Sequence, residues 1–142
     1  MFIGVVSDTH NNLKNIDQIV SLFNDEGINF VIHTGDIASS KSLEKFSKLE
    51  ANLIGVYGNN DRNELGLEDI AFKYNFQFQE PPKLVTLFNR NIAVFHEPDS
   101  IDHFLTENKE IDVVLHGHTH RYRKEIENDI LFFNPGESAG MQ

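Results

Sequence analysis

The sequence predicts an α/β protein whose first half forms a parallel sheet and whose second half is more antiparallel. Short apolar segments alternate with segments of helical period over roughly the first 57 residues, which is typical of strand–helix–strand units with a parallel sheet. Two later pairs of short segments each enclose an Asn-containing turn, which indicates antiparallel hairpins. No linker or internal repeat interrupts the 142 residues, so we expect a single domain over residues 1–142.

Eight short segments are predicted as strands. They cover residues 2–7, 29–34, 52–57, 84–88, 92–96, 113–116, 121–126 and 130–133. Asn89-Arg90-Asn91 is expected to form the turn of the first hairpin and Asn128-Asp129 the turn of the second. Pro81-Pro82 separates the two halves of the chain, because proline does not continue a central strand.

The helices are predicted from apolar residues that recur every three or four positions. The first helix is indicated by Leu13, Ile16, Ile19, Val20 and Phe23, the second by Leu43, Phe46 and Leu49, and the third by Ile101, Phe104 and Leu105. Their expected N-caps are Asn11 or Asn12, Ser39 or Ser40, and Asp99 or Ser100, with Gly27 ending the first helix. Residues 63–74 are ambiguous, and we favour a short helix there.

Composition restricts the possible functions. Asp and Glu total 22 against 12 for Lys and Arg, a net charge of −10, which makes nucleic-acid binding through backbone phosphates an unfavourable interpretation. The absence of cysteine excludes disulfides and thiolate metal sites and fits a cytoplasmic location. We expect no secretory signal and no membrane helix. The sequence leaves open whether the chain forms a homo-oligomer.

The polar residues of interest follow the ends of the predicted strands. These groups are Asp8 with His10, Gly35-Asp36, Gly58-Asn59-Asn60-Asp61, His96, and Gly117-His118-Thr119-His120. In open α/β sheets, ligands bind outside the carboxyl ends of the strands. Carboxylate, amide and imidazole groups from five strand ends therefore meet at one edge, and they are suitable ligands for Mn, Fe, Ni, Co or Zn.

Each group has a simpler interpretation when it is taken alone. An Asp after a strand is usually a turn or cap residue, Asn59 is suited to a positive-φ loop position, and His96 could be a hydrogen-bonded core histidine. His118 and His120 give a stronger signal, because residues two apart in an extended segment point the same way. The joint pattern decides for a metal site, since chance would have to place every group after successive strands.

The ordered motifs resemble those of the calcineurin-like metallophosphoesterase superfamily, D-x-H, G-D, G-N-x-D, a lone His and G-H-x-H. The chain length and the Asn134-Pro135-Gly136 segment look like the small archaeal and bacterial phosphodiesterase branch. The resemblance covers nearly the whole chain. It implies an α/β fold in which mixed sheets form a β-sandwich flanked by helices, and a phosphodiesterase that acts on a small phosphate ester.

The resemblance also implies the role of each site residue. Asp8, His10 and His120 would hold one divalent metal ion, Asn59, His96 and His118 a second, and Asp36 would bridge the two. A hydroxide shared by the two ions would attack the phosphate. Manganese is the first candidate, with nickel, iron, cobalt or zinc as alternatives. Asp36, Asn59, Asn60 and Asp61 form the candidate catalytic group, with Asp61 as a partner that orients a ligand. We assign His33, His103 and His116 structural or surface roles.

Three departures from the family pattern bear on function. Asn60 stands where many relatives have a histidine that is thought to protonate the leaving group, and an amide cannot titrate. Glu97 follows His96 where the family usually has glycine, so a side chain could crowd the pocket or repel an anion. The sequence ends at Gln142, soon after Asn134-Pro135-Gly136, and we expect either a missing edge strand or a shortened form.

Two other functions compete with the phosphodiesterase. One relative of this fold is a scaffold in the retromer coat, with a degraded metal site and a protein-binding face. The other is a phosphomonoesterase or phosphoprotein phosphatase. All seven ligand positions hold competent residues here, which favours an enzyme. Asn60 and the lack of long insertions favour a diesterase over a monoesterase.

Overall fold

The computed structural model describes residues 2–61 and 64–137. A four-stranded parallel sheet comprises β1 (Ile3–Val6), β2 (Phe30–His33), β3 (Asn52–Val56) and β4 (Gln77–Gln79), in that spatial order. The sequence predicted the first three strands but not β4. β4 has only three residues, two of them glutamine, so it lacks the apolar run by which buried parallel strands are recognised.

Three helices cover the outer face of this sheet. They are α1 (Leu13–Asp25), α2 (Ser40–Glu44) and α3 (Leu67–Lys73). Asn12 caps α1, with its side chain accepting a hydrogen bond from the Asn15 amide at 3.1 Å. The second predicted helix is divided, since α2 continues as a 3₁₀ turn over Lys45–Lys48. The helix expected over residues 63–74 is α3, and residue 63 lies outside the described residues.

The second sheet has five strands. They are β5 (Lys83–Leu87), β6 (Arg90–Val94), β7 (Val113–Leu115), β8 (Arg123–Glu127) and β9 (Ile130–Asn134), in the spatial order β5-β6-β7-β9-β8. The two hairpins are antiparallel, while β6, β7 and β9 are parallel to one another. α4 (Ile101–Glu107) packs on its outer face, after a 3₁₀ turn over Pro98–Ser100.

The two hairpin turns have positive φ at both central residues, as type I′ turns require. The second turn is Asn128-Asp129, as predicted, with φ of 51° and 65°. The first is Phe88-Asn89, with φ of 51° and 63°, so the predicted turn Asn89-Arg90-Asn91 began one residue too late and ended two residues too late. Phenylalanine rarely adopts positive φ, and therefore the sequence pointed to the following residues.

The two sheets pack face to face, which confirms the predicted β-sandwich of mixed sheets flanked by helices. Ile32, Ile54 and Val56 of the first sheet contact Ile92, Val94 and Leu115 of the second in one buried cluster. Two further clusters lie under the helices on the outer faces. Among residues 2–61 and 64–137, no helix is both long and apolar enough to span a bilayer.

Hydrogen bonds join the carboxyl ends of strands from both sheets. The Asp8 amide donates to the Gly35 carbonyl at 3.0 Å and the His10 amide to the Asp36 carbonyl at 2.9 Å. Between the sheets, the His118 amide donates to the Asp8 carboxylate at 3.2 Å. These hydrogen bonds hold the loops that carry the candidate ligands close together at one end of the sandwich.

Candidate metal centre

Asp8 carries a buried carboxylate oxygen that lacks a hydrogen bond. Oδ2 accepts from Ser7 Oγ at 2.6 Å and from the His118 amide. Oδ1 is buried without a hydrogen-bond partner in the described part of the chain, and lies 3.4 Å from His120 Nε2. Burial raises the pKa of Asp8, because an ionised carboxylate in a poorly hydrated site is costly. A cation at Oδ1 would satisfy this atom.

Four donor groups meet around this oxygen. One ligand atom from each of Asp8, His10, Asp36 and His120 lies within 4.8 Å of the other three. Ligands of a transition metal lie about 2.0–2.2 Å from the ion, so opposite ligands are separated by at most about 4.4 Å. The four groups are therefore close enough that small side-chain movements would let them share one ion.

A second group of donors lies beside the first. Asn59 Oδ1 is 2.7 Å from His96 Nε2 and 3.2 Å from His118 Nδ1. His96 Nε2 is also 3.4 Å from Asp36 Oδ1. The other ring nitrogen, Nδ1, donates to the Thr34 carbonyl at 2.8 Å. Because Nδ1 donates to that carbonyl, a neutral His96 ring would leave the Nε2 lone pair free to bind a cation, whereas a protonated ring would donate from Nε2 to the Asn59 and Asp36 oxygens.

Asp36 belongs to both donor groups. Its Oδ1 accepts from the Asn60 amide at 2.9 Å and its Oδ2 from Asn60 Nδ2 at 3.0 Å. Burial would raise the pKa of Asp36, but hydrogen bonds from His96 and the Asn60 amide outweigh it and lower the pKa to about 2. Burial would likewise lower the pKa of His96, but Asp36 and the Thr34 carbonyl raise it. A permanently ionised Asp36 suits the bridging position.

The Asp61 carboxylate binds the backbone of the two loops that carry Asp36 and Asn59. Asp61 Oδ2 accepts from the amides of Gly58 and Asp36 at 2.7 and 2.9 Å, and Oδ1 accepts from those of Ile37 and Ala38 at 2.8 Å each. Both oxygens are thus used by backbone donors. The carboxylate therefore holds the loop that carries Asp36, and it has no free oxygen for the catalytic group in which the sequence placed it; its role in orienting a metal ligand stays a prediction.

Left-handed backbone is concentrated at the candidate ligands. Five of the seven have positive φ, namely Asp8 (53°), His10 (48°), Asp36 (63°), His118 (70°) and His120 (61°). Non-glycine residues pay a steric cost there, and such residues cluster at functional sites. The packing is equally tight at the neighbouring glycines, since a Cβ on Gly117 would overlap Ser7 Oγ and lie 2.8 Å from Asp8 Oδ2.

The three histidines that were assigned structural or surface roles lie outside the donor groups. His33 is fully buried, its Nδ1 accepts from the Gly35 amide and its Nε2 contacts Thr9 Oγ1, each at 3.0 Å. Burial lowers the pKa of His33 to about 3. Burial also lowers the pKa of His116, whose Nε2 accepts from Arg123 at 3.1 Å. His103 is exposed on α4.

Glu137 is a site residue that sequence reasoning missed. Its Oε2 lies 3.5 Å from His120 Nδ1, and its side chain is 13% exposed. A carboxylate on the far nitrogen of a metal-binding histidine fixes the ring and its tautomer. The sequence carries one signal for it, because Glu137 directly follows Asn134-Pro135-Gly136.

A two-sheet α/β sandwich with carboxylate, imidazole and amide groups gathered at its strand ends has the architecture of a metallophosphoesterase. The family model described as the calcineurin-like phosphoesterase superfamily domain matches residues 1–142. The chain belongs to that superfamily, as the order of its motifs indicated.

Relatives of this chain include characterised phosphodiesterases. It is 35% identical to a phosphodiesterase of Methanocaldococcus jannaschii over 152 residues, covering 99% of this chain and 86% of the relative. The solved structure of an archaeal phosphodiesterase matches with a TM-score of 0.89 at 35% identity, covering 99% of this chain and 86% of that chain. Vacuolar protein sorting 29 from Cryptosporidium parvum has a TM-score of 0.71 at 22% identity, covering 97% and 75%, and has the same fold.

Proposed function

We propose that the chain is a single-domain, metal-dependent phosphodiesterase acting on a small phosphate ester. Asp8, His10 and His120 would hold one divalent ion, Asn59, His96 and His118 the other, and Asp36 would bridge them. The observation that carries the proposal is the buried Asp8 Oδ1, which has no hydrogen-bond partner among the described residues, within a convergent set of donors. Manganese is the first candidate, with nickel, iron, cobalt and zinc as alternatives that these oxygen and nitrogen ligands also accept.

Two bound ions would supply a hydroxide nucleophile and neutralise the phosphate charge. The side chains would do the remaining work. His96 would stay oriented by the Thr34 carbonyl, and Asp61 would fix the loop that carries Asp36. These contacts preorganise the donors, so that little rearrangement is needed when substrate binds.

Asn60 would influence the choice of ester. Its amide donates to Asp36 in the structure and has no titratable proton, so it cannot act as a general acid for the leaving group. General acid help typically contributes ~10²–10⁴-fold. Esters with good leaving groups need this help least, and we propose that they are the preferred substrates.

The scaffold function is the main alternative. The fold does not separate the two, because vacuolar protein sorting 29 shares it. The donor set favours the enzyme, since a scaffold has no need of a buried carboxylate oxygen that lacks a hydrogen bond. A phosphomonoesterase is the second alternative, and the amide at Asn60 and the lack of long substrate-binding insertions both count against it.

One experiment separates these functions. The purified protein would be stripped with chelator, reloaded with Mn²⁺, Ni²⁺, Zn²⁺ or Mg²⁺, and analysed for metal per chain. Bis-nitrophenyl phosphate and nitrophenyl phosphate would then be compared as substrates. We expect two ions per chain and faster hydrolysis of the diester. One ion at saturation would refute the two-metal site, and two ions without hydrolysis of either ester would favour the scaffold.

A further inference from the structure

A small cavity lies beside the candidate metal centre, at the same edge of the sandwich. Its volume is about 200 Å³, which is below the roughly 300 Å³ of pockets for drug-sized ligands. Pro81, Pro82 and Phe95 provide apolar lining, and Glu97 and Ser100 provide polar groups. The cavity therefore suits a small alkyl arm with a polar tip better than a large group such as a nucleoside.

His96 connects this cavity to the donor groups. It is one of the residues that line the cavity, and its Nε2 lies 2.7 Å from Asn59 Oδ1 and 3.4 Å from Asp36 Oδ1. A phosphodiester has two arms on one phosphate. His96 is shared by the donor group and the cavity lining, and it is the link along which one of these arms would extend.

Glu97 gives the cavity a negative charge. It follows β6 in extended conformation, with φ of −100° and ψ of 144°, and its side chain is half-buried. Among the described residues, no hydrogen bond or ion pair to its carboxylate is found, and no Lys or Arg lines the cavity. A partly buried carboxylate without a partner favours a cationic group and repels an anionic one.

We propose that this cavity binds one arm of the diester substrate and that Glu97 selects an alkylammonium arm over an anionic one. The inference rests on the proposed phosphodiesterase function and specifies its substrate class. The apolar residues would contact the alkyl part of the arm, while the charged tip would lie near Glu97. An aromatic ring and a carboxylate together are a favourable environment for an ammonium group.

The test uses nitrophenyl phosphodiesters that share one leaving group and differ in the other arm. The arms are 2-(trimethylammonio)ethyl, its neutral isostere 3,3-dimethylbutyl, and 2-carboxyethyl. We expect kcat/KM for the ammonium arm to exceed that for the carboxylate arm by about tenfold, with the neutral arm between them. Glu97→Gln should bring this ratio close to one.

The matched control is Asp99→Asn, which removes the same charge two residues away at an exposed position outside the cavity lining. It should leave the ratio unchanged. Equal rates for the three arms in the native protein, or a ratio that survives Glu97→Gln, would overturn the proposal.

A binding measurement separates this inference from the proposed function. Methylphosphonate esters with the same three arms replace the nitrophenoxy leaving group by a methyl group that cannot leave, and their affinities for the metal-loaded protein would be measured by calorimetry. Selective binding that Glu97→Gln removes, without turnover of any ester, would refute the phosphodiesterase and support the cavity. Turnover without selectivity would refute only the role of Glu97.

Discussion

Replacing Asp61 by asparagine should destabilise the fold strongly, although the change is nearly isosteric. The carboxylate accepts four backbone hydrogen bonds, two at each oxygen. An amide keeps one oxygen and turns an N–H₂ group towards the two donors that the other oxygen served. Two charge-assisted hydrogen bonds are therefore lost, at about 1.5–3 kcal/mol each.

The expected loss is about 3–6 kcal/mol, a large part of the ~5–15 kcal/mol that stabilises a typical domain. It would be measured by urea unfolding of the metal-free protein in chelator, so that altered metal affinity does not enter the result. Asp102→Asn, on the exposed face of α4, is the matched control and should change stability by less than about 0.5 kcal/mol. A loss below 1 kcal/mol for Asp61→Asn would refute the inference that these four bonds hold the Asp36 loop.

Three further outcomes are expected. Asp36→Asn should reduce kcat/KM more than any other single ligand change, because Asp36 belongs to both donor groups; if the exposed control His103→Ala proved worse, the site would be misplaced. His33 stays neutral when folded but binds a proton when unfolded below pH 6.5, since its folded pKa is about 3. Metal-free stability should therefore fall by about 2 kcal/mol from pH 7 to pH 5 through this group, and His33→Gln should flatten that dependence in urea titrations. Asn60→His should weaken the dependence of rate on leaving-group pKa across a diester series, and a flat dependence in the native enzyme, with chemistry rate-limiting, would contradict the role given to Asn60.

Much of the site's location could be predicted because strand order and strand ends leave clear signals in the sequence. The apolar run before Asp8 and the run before Gly35-Asp36 are both buried strands of one parallel sheet, and parallel strands present their carboxyl ends together. The histidine pair at His118 and His120 follows β7 of the second sheet in the same way. Packing of the two sheets then brings these ends together, as the Asp8–His118 contact illustrates.

Side-chain direction and local backbone could not be predicted from the same patterns. The Asn60 amide donates to Asp36, a contact that depends on a loop conformation which no sequence period encodes. The Glu137–His120 contact depends on where the chain returns after β9, which is a tertiary feature. β4 pairs with the free edge of β3. This pairing stabilises it as a strand although its own residues have little strand propensity.

The acidic composition and the candidate chemistry have one physical explanation. A chain of net charge −10 repels an anionic phosphate at long range, and the described donors Asp8 and Asp36 increase the negative charge at the site itself. The same carboxylates would nevertheless concentrate divalent cations there, together with imidazoles that add no charge of their own when neutral. Two divalent ions would bring four positive charges against the two donor carboxylates, so metal loading would change the donor set itself from negative to positive within an otherwise acidic surface. Phosphate binding by this protein should therefore require metal absolutely, and a chelated sample that still bound inorganic phosphate at the site would contradict this electrostatic account.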